Sequence, residues 1–335
     1  MIVREQIKKG LINILTNDPN SIILGEDIKD PYGGAFKITE GLSKKFQKRI
    51  IQTPISEAGF VGMATGMTFY GINPIVEIMF NDFLTLTTDI LINSTSKFPE
   101  LSRDNKKYGN ILIRTPGGGG RGYGPIHSQN LEKLFFGWPN IEIFAPNIAT
   151  NPNLVLNEAY LSQKKVKIFI EDKLDYTRNI ISKSQLEKDG FLSSYLNKKN
   201  NTIILSNSGG VLKSDFVVIL YGGTLTRILK ACREALIEKE ITSTIVVASK
   251  IYPIEDDLKF FLEKIDKKIL IVEDGYSSFG WGSYLLTELI KINKKLNLGD
   301  IKIIGPKNTI IPANISKEEK HFIQAEDILK TFDNF

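Results

Sequence analysis

ILIRTPGGGGRGYGPIHSQ, residues 111–129, decides how the chain is read. A short strand, Ile111 to Arg114, runs into a loop with six glycines in the eight residues from Gly117. Such a loop is expected to be mobile and to leave little side chain in the way of a close approach. It is not a Walker loop, because GxxxxGK[ST] is absent. Nor is it a dinucleotide fingerprint, because no acidic residue follows at a strand end with the right spacing. His127, one of two histidines, closes the loop. A group that titrates near neutrality at such a place suits an acid or base, and equally a capping role.

Working outward, short apolar runs alternate with helical patterns. Ser21–Leu24, Ile75–Phe80, Ile141–Phe144 and Val166–Ile170 read as strands. Helical spacing covers 1–17 (apolar at Ile7, Leu11, Ile14 and Leu15), 57–70, 82–98 and 152–162. A polar stretch, about Thr177 to Ser208, reads as a linker with one or two helical turns and includes KKNN at 198–201. The alternation then restarts. Strands fall at Phe216–Tyr221, Ser243–Ala248, Lys268–Glu273 and Ile301–Ile304, and helices at Leu225–Lys239, Asp257–Ile265 and Trp281–Lys294. This predicts an α/β protein of two doubly wound domains: residues 1–178, a linker at 179–210, and a smaller domain at 211–335.

The composition narrows the function. The chain has 335 residues, 42% hydrophobic and 24% charged, the balance of a globular protein. No apolar run reaches 18 residues and no signal-peptide pattern opens the chain, so no membrane role is expected. The single cysteine, Cys232, excludes an internal disulfide and fits a cytoplasmic location. With two histidines and one cysteine, a His/Cys metal site is not expected. The net charge is +5, but the lysines are scattered and not interleaved with aromatics, which argues against nucleic acid.

Three further groups bear on chemistry. Gly25-Glu26-Asp27 places carboxylates at a strand end, where doubly wound sheets bind ligands, though it also reads as a turn. In Thr53-Pro54-Ile55-Ser56-Glu57-Ala58-Gly59-Phe60, Ser56 could cap a helix and Glu57 would sit in its first turn. There the helix dipole favours the carboxylate, a stabilising role that needs no function. Phe80-Asn81-Asp82-Phe83 offers two aromatics at a strand-to-helix junction, as core or as a platform for a flat ring.

Together GED (25–27), TPISEAGF (53–60), NPIVEIMFNDF (73–83), IRTPGGGGRGYGPIHSQ (113–129) and FIEDKLDY (169–176) resemble the β subunits of thiamine-diphosphate-dependent 2-oxo-acid dehydrogenase E1 components. These belong to the pyruvate, branched-chain and acetoin types. VVILYGGTL (217–225), VVASKIYPIE (246–255), ILIVEDGYSSFGWGSYLLTELI (269–290) and GPKNTIIP (305–312) extend the resemblance over nearly the whole chain. It implies a transketolase-like pyrimidine-binding domain followed by a transketolase C-terminal-type domain. Glu57 matches the glutamate whose carboxyl proton hydrogen-bonds N1′ of thiamine diphosphate, which sets up deprotonation of the thiazolium carbon. Phe83 matches the aromatic that stacks on the pyrimidine, and Glu26 and Ile55 match positions at the cofactor. His127 matches a loop histidine above the reacting carbon.

The family's GDG stretch, which holds Mg²⁺ and the diphosphate, is missing. Gly299-Asp300 is followed by Ile301, and Glu273-Asp274-Gly275 lies in the second domain. The resemblance therefore implies an α-type partner that holds Mg²⁺, in an α₂β₂ heterotetramer whose β–β contact the second domain mainly builds. The reaction implied is decarboxylation of a 2-oxo acid such as pyruvate, with a lipoyl-bearing acyltransferase as the usual acceptor. Two stretches depart from the family: Gly137 stands where a second histidine is usual, with Asn140 for a glycine, and Ser102 to Lys107 replaces a Ser-Gly-Gly stretch. These put the lipoyl acceptor in question and keep acyl transfer to a keto-sugar as the alternative; a catalytically silent scaffold subunit is a third reading. Cys232 and His321 have no visible role.

Overall fold

A computed structural model describes residues 1–101, 108–197, 201–210 and 213–335. The departure at residues 102–107 and the first three residues of KKNN lie outside the described residues. Six strands follow one another in the first half: β1 (Ser21–Gly25), β2 (Ile50–Gln52), β3 (Asn73–Glu77), β4 (Ile111–Gly117), β5 (Ile141–Phe144) and β6 (Val166–Asp172). Seven more complete the chain: β7 (Leu192–Asn197), β8 (Thr202–Ser206), β9 (Phe216–Tyr221), β10 (Ser243–Ala248), β11 (Lys250–Tyr252), β12 (Lys268–Val272) and β13 (Ile301–Ile304). They form two sheets, ordered β11-β5-β6-β4-β3-β1-β2 and β13-β12-β9-β10-β8-β7.

The central strands are short and rich in apolar residues because both faces are covered, as parallel sheets require. β4 is buried at every residue. One face packs against the helices Val3–Asn17, Pro152–Leu161, Leu225–Lys239 and Ala325–Asp333, through Ile7, Leu11, Val155, Ile228 and Ile328. The other packs against Glu57–Thr68, Asp256–Leu262 and Trp281–Ile292, through Phe60, Val61, Leu258 and Leu285. Each apolar cluster draws residues from both sheets, so the two halves share their cores. Cys232 belongs to the first cluster, and burial pushes its thiol up to about 12.

Three differences from the sequence reading have local causes. The stretch 179–210 carries the helix Lys183–Lys188 and also β7 and β8, which pair antiparallel and extend the second sheet through β10. β11 crosses back from the second half to pair antiparallel with β5. The single helix expected over 82–98 is a 3₁₀ segment, Asn81–Thr87, followed by a π-helical one, Ile90–Thr95. Thr85, Thr87, Thr88 and Thr95 turn their hydroxyls back onto carbonyls three to five residues earlier, which competes with regular helix bonding.

β1 pairs with β2 on one side and β3 on the other, so the chain winds both ways from β1. A crevice opens at such a switch point, outside the C-terminal ends of the strands. The segments carrying Glu26, Glu57, Phe83 and His127 all leave the sheet there, after β1, β2, β3 and β4.

Candidate active site

Glu26 follows β1 and is buried, with Oε1 lacking any hydrogen-bond partner. Burial, then the Glu57 carboxylate, then Asp27, push Glu26 up to about 7. Glu57 is the first residue of the helix Glu57–Thr68 and is itself buried. The two acids thus meet across the crevice from adjacent strands. Ser56 holds the N-cap position without a capping hydrogen bond, contrary to the expectation for it. Its φ of −169° and ψ of 77° bring the hydroxyl to 2.6 Å from where a Cβ of Gly59 would lie. Ile55 is 84% exposed.

An aromatic wall stands beyond the acids. Phe80 is its centre, edge-on to His127 at 4.7 Å, to Phe36 and Tyr123 at 5.9 Å each, and to Phe83 at 6.1 Å. His127 also meets Phe83 edge-on at 5.4 Å. Phe80, Phe83 and His127 are each half-buried. The intervening residues fasten the loop: Asp82 Oδ1 accepts from the backbone and side-chain amides of Gln129, and Asn81 Oδ1 accepts from Leu131 N at 2.7 Å.

The glycine-rich loop is packed, which corrects the expectation of mobility. A Cβ at Gly119 would fall 2.0 Å from the Phe322 ring, and one at Gly117 would fall 1.9 Å from Asn130 Oδ1. The glycines are there because neighbours already occupy the side-chain space. Below the loop, Arg114 on β4 is buried between Glu77 on β3 (2.7 Å) and Glu171 on β6 (2.7 and 2.8 Å), and Tyr176 donates to Glu171. This network ties three strand ends together and gives the crevice a stiff floor.

His321 lies outside the wall, buried against Tyr276 and Phe322, with Nε2 unpartnered. Burial lowers its pKa. Gly137 sits in a left-handed turn (φ 83°) with open space where a side chain would be. Among the described residues, no group of three or more His, Cys, Asp or Glu side chains could hold a metal ion, and no helix is long and apolar enough to cross a membrane. Sequence reasoning did not single out Asp82, Lys173 or Glu318. Lys173 is at a strand end, a position that could have flagged it, whereas nothing local marks Glu318.

Two doubly wound sheets with paired acids and an aromatic wall at the switch-point crevice define an α/β protein of the class that binds ligands beyond its strand ends. The chain belongs to the transketolase pyrimidine-binding domain family, whose sequence profile matches residues 1–178. Similar curated proteins include the pyruvate dehydrogenase E1 component subunit beta of Chaetosphaeridium globosum, 28% identical over 98% of this chain and 96% of that one. The mitochondrial subunit beta of Saccharomyces cerevisiae is 24% identical over 96% and 84%. Among solved structures, a chain described as "Split gene transketolase, inactive beta4 tetramer" has a TM-score of 0.74 at 18% identity, with 100% of this chain and 98% of that one covered. The transketolase from Leishmania mexicana has a TM-score of 0.67 at 15% identity, with 99% and 45% covered.

Proposed function

We propose that this chain is the pyrimidine-gripping subunit of a two-chain thiamine-diphosphate enzyme that decarboxylates a 2-oxo acid such as pyruvate. The observation that carries the reading is the Glu26–Glu57 pair. Two carboxylates are buried side by side there, and Glu26, with an unpartnered oxygen, is pushed up to about 7 by burial and then by Glu57, so it can carry a proton near neutral pH. That is what a group bonding to the pyrimidine nitrogen must offer. The residues present therefore fit the pyrimidine side of the cofactor. When bound, thiamine diphosphate supplies the electron sink for decarboxylation. Glu57 would be placed to hydrogen-bond the pyrimidine nitrogen, and Glu26, raised by burial and by Glu57, would hold a proton beside it. Phe80 and Phe83 would line the pyrimidine's side of the crevice and keep water out. The His127 imidazole, held edge-on to both, would hold or accept a proton at the reacting end of the site.

The diphosphate and Mg²⁺ fall to an α-type partner in an α₂β₂ assembly. Support comes from the helix Glu57–Thr68, whose outer side exposes Ala58, Gly59 and Met63 beside Ile55 and Leu86. An uncovered face of small and apolar residues next to an open cofactor crevice suits a second chain. The relatives carry the name E1 subunit beta, and the β₄ transketolase chain is described as inactive.

A keto-sugar acceptor remains the second reading, on one observation. A groove of about 510 Å³ next to the His127 loop is lined by Gln129, Tyr276, Asn308 and Thr309 together with Pro125, Ile126, Ile310 and Ile311. It offers neutral hydrogen-bonding groups to hydroxyls. The test is co-expression with an α-type chain and assay of 2-oxo-acid decarboxylation with an artificial electron acceptor, with and without lipoyl domain or keto-sugar. Glu57→Gln is expected to cut turnover by about 100-fold or more while assembly persists. An unchanged rate would overturn the reading.

A further inference from the structure

The loop that carries His127 is held at two buried points, one from each half of the chain. Lys173, just past β6, is fully buried, and its Nζ donates to the His127 carbonyl at 2.7 Å. The same ammonium lies 5.3 Å from the centre of the Phe80 ring, against which His127 packs. On the other side, Glu318 comes from the second half, on the short helix Ile315–Glu319, and is also fully buried. Its carboxylate accepts from Gly122 N at 2.5 Å and from Ser128 Oγ at 2.5 Å. The two bonds bracket His127 along the loop. Phe322 fills the space beside Gly119, and Ile315 that beside Gly122.

We infer that Lys173 and Glu318 are positioning residues that fix the His127 imidazole against Phe80 and Phe83, so that the second half of the chain completes the active site. The inference rests on the reading of His127 given above. An ammonium and a carboxylate are costly to bury, and neither makes an ion pair within 4.0 Å among the described residues. Burial draws Lys173 down to about 8, against the attraction of Asp82, Asp172 and Glu318. Their hydrogen bonds are spent on loop backbone and on Ser128. Groups placed at such cost on a loop next to a reacting centre act through the geometry that they impose.

Because the chain has only two histidines, the geometry can be read directly. The full chain is labelled with ¹³Cε1-histidine, and His321→Gln assigns the two signals. Lys173→Met and Glu318→Ala are each expected to move the His127 signal by about 0.2 ppm or more in ¹H, since edge-on ring currents from Phe80 and Phe83 change with a small rotation. In the assembled enzyme, both are expected to lower kcat about tenfold with KM within about threefold, and Lys173→Arg to recover part of the loss. Added to His127→Ala, Lys173→Met should cost less than about twofold more, because it acts through a side chain already gone. An unmoved His127 signal in variants whose circular dichroism is native, or losses that multiply with His127→Ala, would overturn the inference. Absence of thiamine-dependent turnover in the parent enzyme would instead overturn the proposed function, while the histidine signals still decide the positioning.

Discussion

The two sheets bury carboxylates at their C-terminal ends in opposite ways. In the first, Glu77 and Glu171 share the Arg114 guanidinium at 2.7 Å, and every Arg114 contact given above is a charge-assisted bond. In the second, Glu273 is fully buried with both oxygens unpartnered, and burial followed by the nearby Glu132 pushes it up to about 8. Its neighbour Asp274 meets Asp172 of the first sheet across the Gly222–Gly223 turn. It accepts from Gly223 N at 2.8 Å and is likewise pushed up to about 8, by burial and then Asp172. One set is neutralised by a cation and the other by protons. In the first, the Arg114 charge opposes the burial that raises Glu77, whereas in the second no such cation offsets burial and Glu273 and Asp274 are pushed up to about 8.

The largest effect expected from breaking this contrast is at Arg114. Arg114→Met strands two buried carboxylates and should cost about 3–5 kcal/mol. Urea denaturation at several pH values checks it. The loss should be greatest at alkaline pH and shrink in acid, where Glu77, already raised by burial, takes up a proton. A loss under about 1 kcal/mol at pH 8 would mean that the network contributes little.

Glu273 should behave in the opposite sense. Its folded pKa, about 8, lies above the unfolded value near 4.5, so unfolding releases a proton between those limits. Stability must therefore fall as pH rises from about 4.5 to 8 on account of this group. Glu273→Gln removes that slope. The variant should gain about 2–4 kcal/mol over the parent at pH 9 and differ little at pH 4. A parallel offset between the two at all pH values would show that Glu273 is ionised in the folded chain.

Both sheets were legible in the sequence because buried parallel strands are short apolar runs. Phe216–Tyr221, Ser243–Ala248 and Ile301–Ile304 fall where those runs fall. β7 and β8 were not legible, because an edge hairpin such as LSSYLN mixes polar with apolar residues and mimics a linker. β11 was hidden too, since three residues that cross into another sheet carry no period. Glu57 and His127 stood out through the segments around them. Lys173 and Glu318 did not, because their importance is a matter of distance. Glu318 lies 190 residues from the Ser128 hydroxyl that it holds. The glycine loop was read as mobile for a related reason. Composition gives the lack of side chains but not the neighbours, Phe322 and Ile315 among them, that fill the space.

The smallest effect expected lies at Glu26, and it joins the acid contrast to the active site. Glu26 belongs with the proton-neutralised acids although it sits on the first sheet, since no cation reaches its Oε1. Its folded pKa of about 7 exceeds the ordinary carboxylate value, so its contribution to stability is lost between pH 4.5 and 7 as pH rises. Glu26→Gln should therefore stabilise the folded chain at pH 8 by about 1–3 kcal/mol and leave it unchanged near pH 4. The same variant should lower turnover, because the pair then lacks the acid that can carry a proton beside Glu57. A gain in stability with a loss of rate is the signature of an acid kept for function. If Glu26→Gln lowers stability at pH 8, Glu26 is not held as a raised acid beside Glu57, and the proton offered to the pyrimidine must come from some other group.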